Sequence, residues 1–520
     1  MKKTELGPNM QNTADRQKAT INISRRLFLA GGLAAAGSIF VGTFDPEKAL
    51  AANKAGFDAD ALRKAVRCEI SIPSDSNFKD KVYSGLWNRL YPNRAPQVVV
   101  NVQTDADVVA AVKFAKANKV KVVVRGGGHN WCSPSLRNGG MMIDLTLMNK
   151  VISIDEVNKI AIVEPIISNR DVQKALNAKN LAFPTGHCPQ VKMSGYLLSG
   201  GMAWNQGTWG PGVGSVVKIE MVTADGELIV ADKDNNKDYF WAARGAGAGS
   251  FFVAVRYHLK LYDLPKAIIC SSYYYPLDQA ETVASWLKDV ALKMKPCVEL
   301  SFWLTTAPPE LAEETKADNG KCALVTATSF VSSQEEGNEA MAILDTCPVI
   351  NKCMLKPLNK AFTFPDLFDF SGALWKADMR NQVEAMFSNS DLSQIIKATK
   401  AHFKVTPSPD TVFMYAVYTG GNVPEKLPDA AFSMSAKLYG GPWTMWKDSA
   451  DDSANIAWHK KMLTLVTPFT DGHYVSETDT ITYPKHLVES YTPANYKRLN
   501  ELRKKLDPTG VFFAPGEAVS

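Results

Sequence analysis

Beyond its first fifty or so residues the chain has no apolar run approaching the ~20 residues that a membrane-spanning helix needs. Charge of one sign is also lacking. The net charge is +5, and residues 1–51 hold seven basic and four acidic side chains, which leaves 51 basic against 49 acidic in the remainder. That balance gives no electrostatic case for a nucleic-acid partner. No Gly-x-Gly-x-x-Gly follows a strand and opens a helix, which argues against a Rossmann dinucleotide site. What remains is an ordinary globular composition, 46% hydrophobic and 21% charged. Its 520 residues suffice for at least two domains with sizeable cores.

The N-terminus reads as a targeting segment. Ser24-Arg25-Arg26-Leu27-Phe28-Leu29 resembles a twin-arginine export signal, an apolar and small-residue run follows, and Ala49-Leu50-Ala51 offers an A-x-A cleavage site. The expectation is a periplasmic or secreted protein, cleaved near Ala51, that meets the twin-arginine export machinery and keeps no stable membrane anchor. In that compartment the eight cysteines can pair. Cys347 and Cys353 are spaced for a local bridge, although sequence does not assign connectivity.

The most informative stretch is Val122-Val123-Val124-Arg125-Gly126-Gly127-Gly128-His129-Asn130. Three β-branched residues end a buried strand. The glycines then let the backbone approach a ligand, and successive amide N–H groups in such a loop form an anion nest suited to a pyrophosphate. A second stretch of the same build comes later: Gly186-His187-Cys188-Pro189-Gln190-Val191-Lys192-Met193-Ser194-Gly195, followed by Gly200-Gly201. Together the two resemble the berberine-bridge-enzyme-like oxidases of the vanillyl-alcohol-oxidase (PCMH-type FAD-binding) superfamily. The family pattern is Arg-x-Gly-Gly-His, then Gly-x-Cys-x-x-Val-x-x-x-Gly, then Gly-Gly. The resemblance implies FAD bound covalently through His129 and Cys188. It further implies a cofactor site of Arg125, Gly126, Gly127, Gly128, His129, Asn130, Cys188, Ser194, Gly195, Gly200, Gly201 and Asn205, and no metal.

Local signals place strands at 97–102, 121–124, 141–144, 151–154, 160–163, 216–223, 227–230 and 251–261. Asp225-Gly226 marks a hairpin. Thr104 and Ser168 cap helices, the second running to about residue 177, and 238–244 forms a short helix. The segment 97–124 reads as a βαβ-like unit ending on the glycine loop, and 53–80 as a connector with one short helix. From about residue 266 strand-like runs at 270–275, 298–305, 322–330 and 412–418 alternate with helical ones, an α+β arrangement. Trp303, Phe362, Phe364, Phe368, Phe370, Trp375, Tyr415, Trp443 and Trp446 enrich this part in aromatics, most expected in the core and a few along a pocket. With the resemblance, the expected fold class is α+β: a PCMH-type FAD-binding domain of two α/β subdomains (52–265), and a substrate domain with an antiparallel sheet covered by helices (266–470). A C-terminal segment (471–520) returns to the FAD-binding domain.

The resemblance implies an FAD-dependent oxidoreductase that oxidises an alcohol, amine or activated C–H of a small organic molecule, reoxidised by O₂ or by another electron acceptor. Relatives often carry Tyr-x-Asn-Tyr-x-Asp near the C-terminus, with the second tyrosine as base in several. Here the run is Tyr474-Val475-Ser476-Glu477-Thr478-Asp479. Glu477 and Tyr474 are the candidate catalytic residues, because a carboxylate desolvated beside a flavin has a raised pKa and can still serve as base. Two other readings stand beside this one: a zinc site from His129, Cys132, His187 and Cys188, and a binding protein of the same fold without flavin.

Overall fold

The computed structural model describes residues 58–420 and 427–517. The twin-arginine segment and the Ala51 cleavage site lie outside the described residues. No helix among the described residues is long and apolar enough to cross a membrane.

A four-stranded sheet comes first, in the order Glu69–Ser71, Val98–Asn101, Met141–Asp144, Val122–Arg125. The last three strands are parallel, and their valines, methionines and isoleucine are almost wholly buried apart from Val124, as strands covered on both faces require. The helix Asp105–Ala117 connects Val98–Asn101 to Val122–Arg125, opened by a Thr104/Asp107 capping box. The βαβ-like expectation needs one correction: Met141–Asp144 inserts between the two strands the helix joins. The connector at 53–80 also holds more than one helix, with Ala59–Ala65, the strand Glu69–Ser71 and Phe78–Tyr83.

A five-stranded antiparallel sheet follows, ordered Val151–Asp155, Ile160–Val163, Phe252–Lys260, Val216–Thr223, Leu228–Asp232. Gly226 turns its hairpin at φ +72°. The helix Asn169–Asn177 starts where the Ser168 side chain accepts the Asp171 N–H. One apolar core unites these two sheets and takes in Leu502, Val511 and Phe512 from the C-terminal end. Phe512 bridges Val122 in parallel.

The third sheet has nine strands, running from Lys360–Phe362 through Ala267–Pro276, Lys321–Val331, Val298–Thr306, Val412–Val417, Leu438–Trp446 and Met386–Ser388 to Gly472–His473, with Arg380–Val383 on the side of Leu438–Trp446. All its pairings are antiparallel. Period-two alternation gives it two faces. Leu300, Phe302 and Leu304, with Phe413, Tyr415 and Val417, pack under the helices Ala280–Ala291, Leu392–Lys404 and Asp452–Val466. Full burial of such side chains stabilises by ~1.5–3 kcal/mol each. The alternate residues Glu299, Ser301 and Trp303, with Met414, Ala416 and Tyr418, face a cavity instead. One face builds the core and the other builds the site.

Candidate active site

The cavity measures about 520 Å³ and is lined both by the glycine and cysteine loops and by the open face of the nine-stranded sheet. The glycine loop enters it directly after the strand Val122–Arg125. Gly128 sits at φ +64°, and a Cβ there would lie 2.1 Å from the Gly85 carbonyl oxygen, so only glycine lets this loop pass beneath the Gly85 backbone. None of the backbone N–H groups from Gly126 to Asn130 meets a protein acceptor among the described residues. Consecutive donors left open in this way are what an anion nest is made of.

Cys188 Sγ lies 3.3 Å from His129 Nε2, so the two loops meet on the cavity wall. The His129 ring stacks on Trp87 at 4.6 Å and 17°. Burial, with help from Lys192, pushes His129 down to about 4, so its imidazole is neutral at physiological pH. Burial pushes the Cys188 thiol up to about 11, although the backbone groups of Gln190 and Val191 oppose it. Asn130 donates to the Ser476 carbonyl at 2.9 Å and so ties the glycine loop to the segment that carries Glu477.

Glu477 faces the cavity. Its carboxylate accepts the Tyr439 hydroxyl, and burial lifts it from 4.5 to about 7, against the pull of Tyr439 and His187. Tyr474 is buried and also lines the cavity. Its hydroxyl accepts the Gly201 N–H at 3.2 Å, and burial beside Glu477 pushes its phenol further up. Of the two candidates, only Glu477 changes its charge near neutral pH.

Behind Glu477 lies a network that sequence reasoning missed. Glu384 is 1% exposed, and burial raises its pKa, yet hydrogen bonds and charge from His473 and His486 prevail and hold it at about 2. His473 Nδ1 is 2.6 Å from Glu384 Oε1, and the Thr478 hydroxyl donates to the same oxygen. Ala385 donates to the Glu477 carbonyl at 2.9 Å and accepts from Tyr474 at 3.0 Å. Glu384 therefore clamps the Tyr474–Glu477 turn from both sides. Glu384, His473 and His486 also satisfy the distance criterion for a metal site. The two imidazoles stack at 3.9 Å and 15°, and both Nδ1 atoms turn to the same Glu384 oxygen, at 2.6 and 3.4 Å, with the Thr478 hydroxyl within reach of both. The set is a hydrogen-bonded brace.

The expected cofactor-binding residues divide into two groups. Gly126, Gly127, Gly128, His129, Asn130, Cys188, Ser194 and Gly195 line the cavity. Arg125, Gly200, Gly201 and Asn205 lie outside its lining. The Arg125 guanidinium is buried against Asp144 at 2.5 Å and donates to the carbonyls of Val82 and Lys81, so it shapes the loop from behind. Gly200 packs under the Phe432 ring and Gly201 against Tyr196, while the Asn205 N–H goes to Glu299 at 2.5 Å. The four zinc candidates do not converge either: His187 turns to Glu299 at 3.1 Å, and Cys132 Sγ to Asn130 Oδ1 at 3.1 Å. Cys347 and Cys353 carry free thiols. Among the aromatics, Trp303, Phe362, Phe370, Trp375 and Trp443 line the cavity, whereas Phe364, Phe368, Tyr415 and Trp446 are buried in cores. Glu299 escaped notice, although a glutamate and a serine at inward positions of an alternating strand were a signal.

The site fits FAD on its own chemistry. It offers the amide nest for a pyrophosphate, two nucleophilic side chains in contact, and four indole N–H groups with no protein partner on its walls, those of Trp87, Trp131, Trp204 and Trp443. Comparison with known proteins points the same way. The family profile described as "FAD binding domain" matches residues 96–232. The chain is 28% identical over 440 residues to the FAD-linked oxidoreductase YvdP of Bacillus subtilis, covering 82% of this chain and 93% of that one. The solved structure of 6-hydroxy-D-nicotine oxidase from Arthrobacter nicotinovorans superposes with a TM-score of 0.74 at 18% identity, over 89% of this chain and 100% of that one. Berberine bridge enzyme from Eschscholzia californica gives 0.73 at 18%, over 88% and 98%. The class is thereby defined: an α+β protein with a PCMH-type FAD-binding domain. Within that class its sequence relatives are FAD-linked oxidoreductases, and its fold is shared with berberine bridge enzyme.

Proposed function

We propose that the chain holds FAD through two covalent bonds, to His129 and Cys188, and oxidises an alcohol, amine or activated C–H of a small organic molecule, with Glu477 as the proton acceptor. The observation that carries this reading is the 3.3 Å contact between Cys188 Sγ and His129 Nε2 on a wall shared with Glu477. FAD bound there supplies the oxidising power, by accepting hydride at its N5 position. The amides of Gly126 to Asn130 would receive the pyrophosphate, and Ser194 and Gly195 line the same wall. A neutral imidazole keeps the lone pair that a bond to carbon needs, and burial keeps His129 neutral. Cys188 needs to lose its proton to react.

Glu477, poised near 7, can take a proton from a hydroxyl or an ammonium group at neutral pH and release it again. Tyr439 orients the carboxylate through its hydroxyl. Trp303, Trp375 and Trp443 cluster on the cavity wall, with centroids 6.2 and 4.4 Å apart and rings tilted at 34° and 40°, and offer apolar surface to a ring. We further propose that the electrons pass to O₂, in keeping with the oxidases among the structural neighbours. The N-terminal twin-arginine segment would deliver the folded, loaded protein to the periplasm. Acid precipitation of the purified protein tests the attachment: yellow colour should stay in the pellet of the wild type and leave with the supernatant when His129→Ala and Cys188→Ala are combined. Flavin released from the wild type would overturn it.

A further inference from the structure

His187 stands between Gly186 and Cys188, and flavin attachment needs no imidazole at that position. Its Nε2 lies 3.1 Å from one Glu299 oxygen, and the other Glu299 oxygen accepts the Asn205 N–H at 2.5 Å. Glu299 thus ties the histidine to the loop that carries Asn205. Trp204 packs against the imidazole with ring centroids 3.9 Å apart. The ring is thus fixed by two elements at once, the inward face of the strand Val298–Thr306 and the loop after the Gly200-Gly201 pair.

The brace also decides the tautomer. A carboxylate only accepts, so a singly protonated ring carries its hydrogen on Nε2 and leaves the Nδ1 lone pair free. Among the described residues no protein group is hydrogen-bonded to Nδ1. The side chain keeps 42% of its surface and lines the same cavity as Glu477. A carboxylate that orients a histidine and sets its tautomer is how proteins hold an imidazole ready for a ligand.

We propose that His187, oriented by Glu299, is a specificity-determining residue whose Nδ1 accepts a hydrogen bond from a second O–H or N–H group of an aromatic substrate, while the group being oxidised sits at Glu477. The substrate class is then a ring compound with two polar functions, such as a hydroxybenzyl alcohol or a hydroxyaryl amine. This rests on the reading of the cavity as the flavin chamber. Because His187 is partly open to water, a substrate without the second donor forfeits about one hydrogen bond's worth of binding, roughly tenfold.

The test uses the flavin-loaded protein and pairs of probes matched in electronics. Each hydroxybenzyl alcohol is compared with its methoxy counterpart, and phenol with anisole, which are read only by the change they cause in flavin absorption. Wild type should favour the best hydroxy isomer over its methoxy partner by about tenfold, with the difference in KM, and should bind phenol over anisole by a similar factor. In His187→Phe, which fills the place without an acceptor, both ratios should fall to near one while the flavin stays attached. In ¹⁵N spectra of the seven histidines, the signal lost in that variant should be an Nε2–H tautomer. Ratios unchanged in the variant, or no preference for phenol in the wild type, overturn the proposal. So does loss of covalent flavin in the variant, which would make His187 a support for Cys188. If no alcohol or amine bleaches the wild type, the proposed oxidation fails, and the phenol–anisole comparison still decides the role of His187.

Discussion

Replacing Glu477 with glutamine removes one ionisable group and little else, because the amide oxygen can still accept the Tyr439 hydroxyl. Burial raises this carboxyl from 4.5 to about 7 in the folded protein. A folded-state pKa above the unfolded one means that proton uptake favours folding: the contribution is full below about 4.5 and is lost as pH rises through about 7. At 1.36 kcal/mol per unit the loss is on the order of 3 kcal/mol for this single group. Thermal midpoints of wild type and Glu477→Gln, measured in parallel from pH 4.5 to 8.5, isolate it. The variant should gain on wild type as pH rises, with most of the gain between pH 5 and 8. Two profiles that run parallel would show that Glu477 is not held in a desolvated site and would refute the reasoning. The same pair tests catalysis: the wild-type rate of flavin reduction should climb with pH through about 7, and the variant should lose ~10²–10⁴-fold.

Three further outcomes follow from the geometry. Glu384→Gln should weaken the clamp on the Tyr474–Glu477 turn, move the pH–rate midpoint of Glu477 and lower the rate of flavin reduction by about tenfold; an unchanged profile would reduce Glu384 to a packing residue. Arg125→Met leaves Asp144 as a buried, unpaired charge, so unfolding free energy should drop by ~3–5 kcal/mol and flavin content with it, measured by denaturation and by absorbance. His129→Ala and Cys188→Ala made singly should each leave flavin on the denatured polypeptide through the remaining bond, and a flavin-free pellet from either would show that only the other residue's bond depends on a partner.

Where the signal is local the sequence is legible. The strands Met141–Asp144, Ile160–Val163 and Val216–Thr223 and the helix Asn169–Asn177 fall where apolar runs, a hairpin glycine and a capping serine put them. The strand Glu69–Ser71 was not legible, being three residues long and defined only by pairing with Val98–Asn101 far along the chain. Leu438–Trp446 hides for a related reason: Gly440, Gly441 and Pro442 read as a break, yet flanking strands hold them at the centre of the sheet. The anchoring loops were legible because each motif is contiguous. The clamp of Glu384, His473, Thr478 and His486 and the pair His187–Glu299 were not, because each joins residues that only the sheet order brings together. Arg125 shows the converse limit, since a motif residue can serve the motif's shape from behind the cavity wall.

The central claim is a flavin held by the two loops, and its most direct test is a visible spectrum of the purified protein before and after acid denaturation. Flavin absorbance that remains with the precipitated polypeptide is the predicted result. A colourless protein produced with FAD available, or a yellow one that yields all its colour to the supernatant, would contradict it.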